Sequence, residues 1–311
     1  MRRPFFFSQH PLIQLLLLAL LVIMGFLIFF AIGLISSLLF FPLTISDLLN
    51  GMDFQDPEMI PVLKNLQIWQ SLGIFVVPSI LVAWLAVQKP WDFLGLNRRV
   101  LLGSSLWVVL ALIVLMPFMN QMVIWNEQLA LPDFLSGIED WIKEREEIAA
   151  DLTNSFLLTN SVKGLIVNIL MIAIIPAFGE ELFFRGIIQK LFGRWFKSSH
   201  LAIILASVLF SALHFQFYGF IPRFILGLIF GYLYVWSGNL WYPIIAHLFN
   251  NILPVIAFYA YGKEAVDGSL DQIGTGQLGW IWVTGSMVLT ALALYQFKRL
   301  SSPPESINYS K

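Results

Sequence analysis

Stretches of about 20 apolar residues recur along this chain between short polar clusters, and no other feature restricts its fold as much. A bilayer core about 30 Å thick calls for about 20 apolar residues per helix, and within it only helices or closed barrels satisfy the backbone. The stretches lie at 12–41, 68–87, 100–118, 162–192, 201–217, 223–236, 240–261 and 278–297. Composition agrees, with 58% hydrophobic and 12% charged residues against roughly 45–50% and 25% in soluble domains. The expected fold is all-α, a polytopic membrane protein with about eight transmembrane helices. Three of these and an amphipathic outer segment fill 1–161, a four-helix core fills 162–261, and the last helix and a tail fill 262–311.

Charge and cysteine content narrow the chemistry. A formal net charge of -1 supplies no field to attract nucleic acid. The chain has no Cys, which removes disulfides, thiolate ligands, cysteine nucleophiles and cysteine lipidation. The first apolar stretch follows Arg2 and Arg3 as in a secretory signal, but it is too long and lacks a small-residue cleavage site, so it reads as a retained span. Arg2, Arg3, Lys89, Arg98, Arg99, Lys190, Arg194, Lys197, Lys298, Arg299 and Lys311 fall on alternate connections and both tails. By the positive-inside rule those face the cytoplasm, with both termini inside. Asp47, Asp53, Asp56, Glu58, the acids from Glu127 to Asp151, and Glu264, Asp267 and Asp271 occupy the opposite connections.

In the longest connection, Ile138, Trp141, Ile142, Ile148 and Leu152 approximate one helical face. Such a helix lies on the outer membrane surface or packs on the bundle. Lys89 and Trp91 read as interfacial anchors. Gly227 and Gly231 form G-x-x-x-G, which close packing inside the chain explains. Pro176, Pro243 and Pro254 mark kinks.

An ionisable side chain inside a span is costly enough to count as a site hypothesis. Glu180, Glu181 and Arg185 lie in the fourth stretch, His214 in the fifth, and His247 with Asn250 and Asn251 in the seventh. The polar turn near position 197 is 17 residues from both Glu180 and His214, which puts both roughly 25 Å above it at ~1.5 Å per residue. Glu181 and Arg185, four apart with the acid first, suit a helical ion pair. Glu180 points ~100° away without that partner. His247 and Asn251 are also four apart and share a helix face, where both could present N–H donors to one point, and Phe210 stands one turn from His214.

Glu180 to Arg185 reads E-E-x-x-x-R, Phe210 to His214 reads F-x-x-x-H, and His247 to Asn251 reads H-x-x-x-N. In that order on successive spans, the three patterns resemble the signatures of the type II CAAX prenyl endopeptidase family, also called the CAAX protease and bacteriocin-processing family. The resemblance covers roughly 162–261. It implies an intramembrane glutamic endopeptidase with Glu180 as general base and His214 helping to hold water. It further implies that His247 and Asn251 stabilise the oxyanion while Glu181 and Arg185 orient the site, without a metal cofactor. The implied partners are the lipid bilayer and a lipid-anchored or hydrophobic polypeptide substrate, of which a prenylated CAAX protein is one kind.

Two other readings use the same residues. Glu180, His214 and His247 could ligand zinc in a metalloprotease, although the compact H-E-x-x-H spacing is missing. Buried Glu, His and Asn also serve transporters or a non-enzymatic immunity protein, but no internal repeat favours a transporter. All three place the chain as an integral membrane protein, in the plasma membrane if the host is bacterial.

Overall fold

The computed structural model describes residues 6, 9–50, 56–129, 131–263, 273–276 and 279–301. Arg2, Arg3, Asp53, Glu264, Asp267, Asp271 and Lys311 lie outside them. The described elements are all helical. We label the main ones α1 (Pro11–Phe40), α2 (Pro57–Ala86), α3 (Leu102–Glu127), α4 (Ser136–Leu157), α5 (Val162–Phe196), α6 (Ser199–Ala212), α7 (Phe220–Ser237), α8 (Trp241–Tyr261) and α9 (Gly279–Ser301). Among the described residues seven helices are long and apolar enough to cross a membrane, namely all of these except α4 and α6. The protein is a polytopic membrane protein.

The fifth expected span is the main correction. The apolar stretch runs on to Phe217, but α6 has only 14 residues, or ~21 Å, and ends in a turn before His214. The chain then turns through Phe215, whose φ of 53° lies in the left-handed region. α6 and α7 form a short antiparallel hairpin. Gly227 faces Ser207 and Gly231 faces Ile203, where an added Cβ would lie 2.9 Å from Ser207 Cβ and 2.8 Å from Ile203 Cγ2. The G-x-x-x-G motif is therefore used for packing within the chain.

The second span begins at Pro57, eleven residues before the apolar pattern at 68, because its early polar residues find partners in neighbouring helices. Asn65 Nδ2 donates to Gly33 O at 3.1 Å, Ser36 Oγ at 2.8 Å and Ser37 Oγ at 2.9 Å. Lys64 Nζ donates to Asn168 Oδ1 at 2.7 Å, which sets α2 parallel to α5. Further along the same pair, Gly179 lets α5 approach Phe75 and Val76 of α2. π-helical turns interrupt α2 at Leu72–Val76 and α5 at Ile169–Ile174 and Phe184–Ile188. Pro176 follows the second of these, and Pro254 lies inside α8. Pro243 does not mark a kink. It sits in the first turn of α8, where its missing N–H costs no helical bond.

One end of the bundle gathers the basic residues. Arg98 Nη1 donates to Ser237 O at 3.4 Å, Asn239 Nδ2 to Arg99 O at 3.2 Å, and Lys298 stands over the Trp236 ring at 5.5 Å. Lys190 departs from the loop position expected of it: it is buried in α5 and donates to Phe93 O. At the other end lie the acids, and α4 partly covers that side. Phe156 is buried while Ile138, Trp141 and Ile148 remain exposed, so the amphipathic helix packs on the bundle through part of its apolar face only.

The small residues of the α6–α7 hairpin lead to a stability prediction. Gly231→Val should destabilise the detergent-solubilised protein by about 1–3 kcal/mol through overpacking, seen as a lower midpoint in thermal unfolding, whereas valine at the unobstructed Gly285 should leave it nearly unchanged.

Candidate active site

α5 presents its two adjacent glutamates in different directions, as the ~100° turn per residue requires. Glu181 is fully buried and its Oε1 accepts from Arg185 Nη1 at 2.6 Å. Arg185 extends across to α7, where Nη2 donates to Gly227 O at 2.9 Å. The guanidinium carbon lies 4.9 Å from the ring centre of Phe210 and 5.4 Å from that of Phe230, so cation–π contact replaces solvent around it. Gln189, one turn further, reaches the same helix with Nε2 at 3.4 Å from Gly231 O.

Glu181 also fixes His247 of α8, whose Nδ1 lies 2.9 Å from Glu181 Oε1. An ionised carboxylate only accepts, so Nδ1 carries the proton and Nε2 faces away. Nε2 stands 4.0 Å from Glu180 Oε2. The ring is stacked on Phe230 at 5.3 Å and meets the edge of Phe210 at 5.7 Å. Glu180 Oε2 has no hydrogen-bond partner in the protein.

His214 lies beyond the end of α6 and lines one cleft with Glu180. Its Nδ1 is 2.8 Å from Phe210 O; a carbonyl can only accept, so in the neutral ring Nε2 is an acceptor. Phe210 supports His214 through that carbonyl and a ring contact at 5.1 Å. The cleft has a volume of about 300 Å³ and is completed by Gln67, Gln70 and Ser71 of α2.

His247 and Asn251 share a helix face but not a partner. Asn251 Nδ2 donates to Ile172 O at 3.2 Å, and its Oδ1 accepts from Asn250 Nδ2 at 3.1 Å. Ile172 lies in the π-helical turn of α5. The shared N–H focus expected from the four-residue spacing is thus divided, although the Asn251 amide retains one Nδ2 hydrogen. Asn250 faces a separate apolar pocket with Leu112, Leu115 and Phe249. Ser207 Oγ and Ser211 Oγ donate to Ile203 O and Phe220 O. Among the described residues no group of three or more His, Cys, Asp and Glu could hold a metal ion.

Sequence reasoning missed Gln67, just outside the apolar window starting at 68, and Gln70, just inside it; two glutamines three apart at the edge of an apolar helix were the available signal. It also treated Arg223 as a span boundary. Arg223 is partly buried inside α7 and donates through Nη2 to Gln216 Oε1 of the loop that carries His214.

Residues 162–253 match the family Type II CAAX prenyl endopeptidase Rce1-like. That segment holds all three motifs, from the start of α5 to the second half of α8. A protein of Bacillus subtilis (strain 168), the uncharacterized protein YpbD, is 35% identical over 89 residues, which amount to 27% of this chain and 42% of that protein. The chain therefore matches less than half the length of this relative. No solved structure matches.

The buried pair sets an expectation for mutants. Arg185→Ala leaves Glu181 charged without its main partner and should cost about 3–5 kcal/mol, read as loss of monodisperse protein on extraction. Arg185→Ala combined with Glu181→Leu removes both charges and should recover part of that loss.

Proposed function

We propose that this chain is an intramembrane endopeptidase in which Glu180 activates a water molecule. The observation that carries the reading is the approach of side chains from α5, from α8 and from the turn after α6. Glu180 Oε2 lies unpartnered 4.0 Å from His247 Nε2 and shares its cleft with His214. A general base must come within hydrogen-bond reach of the water it deprotonates. The Glu180 carboxylate and His214 Nε2 are the two acceptors that can hold it.

In this reading the water oxygen attacks the scissile carbonyl while its proton passes to Glu180, which later returns it to the departing amine nitrogen. The carbonyl oxygen gains negative charge and needs preorganised donors. His247 serves when protonated, because Nδ1–H is committed to Glu181 and only the imidazolium also has an N–H at Nε2. The remaining Asn251 amide hydrogen is the second donor. Glu181 and Arg185 position the His247 ring rather than touch substrate. The family match, which describes a prenyl endopeptidase, supports hydrolysis of a membrane-delivered polypeptide over transport or a passive immunity role.

Glu180→Gln should bind substrate and fold normally yet show almost no turnover, whereas Asn251→Ala should cost on the order of 100 to 1,000-fold. Both are measured on membranes with a quenched lipopeptide, and a near-normal rate for Glu180→Gln would refute the assignment. The reading is metal-free: activity should survive exhaustive chelation, and loss followed by rescue with zinc would transfer the same side chains to a metalloprotease.

A further inference from the structure

The cleft beside Glu180 is blocked toward one end of the bundle and open toward the other. α2 and α5 run parallel, with Lys64 bonded to Asn168 across an offset of 104 and Phe75 and Val76 against Gly179. In that register Gln67, Gln70, Ser71 and Ile74, which line the cleft, stand level with residues 171–178 and thus on the acidic side of Glu180. Toward the basic end every residue from Glu181 to Lys190 is buried. There Phe75 meets Phe183 at 5.6 Å, Phe183 meets Phe184 at 5.2 Å, and Phe184 meets Phe210 at 5.1 Å, closing the space with interlocked rings.

Two features continue the opening outward. α6 ends at Ala212, so it builds no wall beyond the level of His214, and Leu213 and Phe215 at this lip are 43% and 84% exposed. Lys64, Gln67 and Ser71 recur at helical spacing on one face of α2. Gln67 and Ser71 line the cleft, and Lys64, one turn earlier, lines a groove of about 1030 Å³ beneath α4 that also holds Asp151, Asn154, Ser155 and Lys263. This stripe offers water a polar route to Glu180 from the acidic end.

The basic end, with Lys89, Arg98, Arg99, Arg194, Lys197, Lys298 and Arg299, is the cytoplasmic one under the positive-inside rule. We infer that the cleft is loaded from the non-cytoplasmic side, so that the substrate is an exported polypeptide, membrane-spanning or lipid-anchored, whose scissile bond lies in the outer half of the bilayer. The inference rests on the peptidase reading above for its substrate and on the register of α2 and α5 for its direction. A prenylated tail presented from the cytoplasm would meet the packed aromatic floor instead.

The chain contains no cysteine, so single cysteines report side directly. Full-length Gln70→Cys, Gln67→Cys and Lys197→Cys variants, checked for membrane insertion, are exposed to a small charged methanethiosulfonate in intact cells and in inverted vesicles. The two cleft variants should react in intact cells, and Lys197→Cys only after inversion. Reaction of the cleft variants from the inverted side alone, of both from neither side, or of Lys197→Cys in intact cells would overturn the inference. A parallel reporter carries the same hydrophobic cleavable segment on the outer or the inner flank of a membrane anchor, with Glu180→Gln as control. Cleavage of the outer form alone is expected; cleavage of the inner form alone overturns the direction. Cleavage of neither, with labelling as expected, sinks the peptidase reading and the substrate it implies while the outward opening stands.

Discussion

A charged guanidinium held at the centre of a membrane bundle constrains everything around it. Arg185 is held there through both terminal nitrogens, by Glu181 Oε1 at 2.6 Å and Gly227 O at 2.9 Å, and by the faces of Phe210 and Phe230, while its Nε is buried without a partner. Glu181 then serves two masters, since its Oε1 also holds His247 Nδ1 at 2.9 Å. One buried cluster therefore ties α5, α7 and α8 into a single register. Buried ion pairs are a poor source of net stability; here the pair orients the imidazole that faces Glu180.

The same economy governs the irregular backbone between α6 and α7. Non-helical chain at membrane depth survives only where protein or a cavity satisfies it. Asn126 at the end of α3 donates to Phe217 O at 2.8 Å and accepts from Ile221 N at 3.1 Å, while Glu146 of α4 accepts from Tyr218 N at 3.0 Å. Ser211 Oγ closes the hairpin onto Phe220 O at 2.6 Å. Elements outside the family-matched segment thus hold the loop that carries His214, which links the surface helix to the site.

Much of this was legible in the sequence because hydrocarbon punishes charge so heavily that each buried titratable residue stands out. Glu180, Glu181, Arg185, His214 and His247 were all visible on that ground, and the four-residue spacing of Glu181 and Arg185 translated directly into their ion pair. What escaped depends on tertiary partners. The early start of α2 rests on Asn65 and Lys64 finding acceptors on α1 and α5, which no hydropathy window can register. The premature end of α6 escaped for a related reason, since Leu213, Phe215 and Phe217 are apolar yet lie in a turn whose polar backbone is capped from elsewhere. The division between His247 and Asn251 follows from the π-helical turn that puts Ile172 O within 3.2 Å of Asn251 Nδ2.

The brevity of α6 carries a mechanical consequence for the surrounding lipid. Its outward face, with Leu201, Ile204 and Val208 exposed, offers ~21 Å of helix to a hydrocarbon layer ~30 Å deep. Such a mismatch costs fractions of a kcal/mol for each Å, whether the lipid thins or the flanking side chains reach out to cover it. Local thinning of the bilayer beside the lip formed by Leu213 and Phe215 is one way to meet such a mismatch. Membrane thickness thereby becomes a variable that acts on this site without any contact to its polar groups.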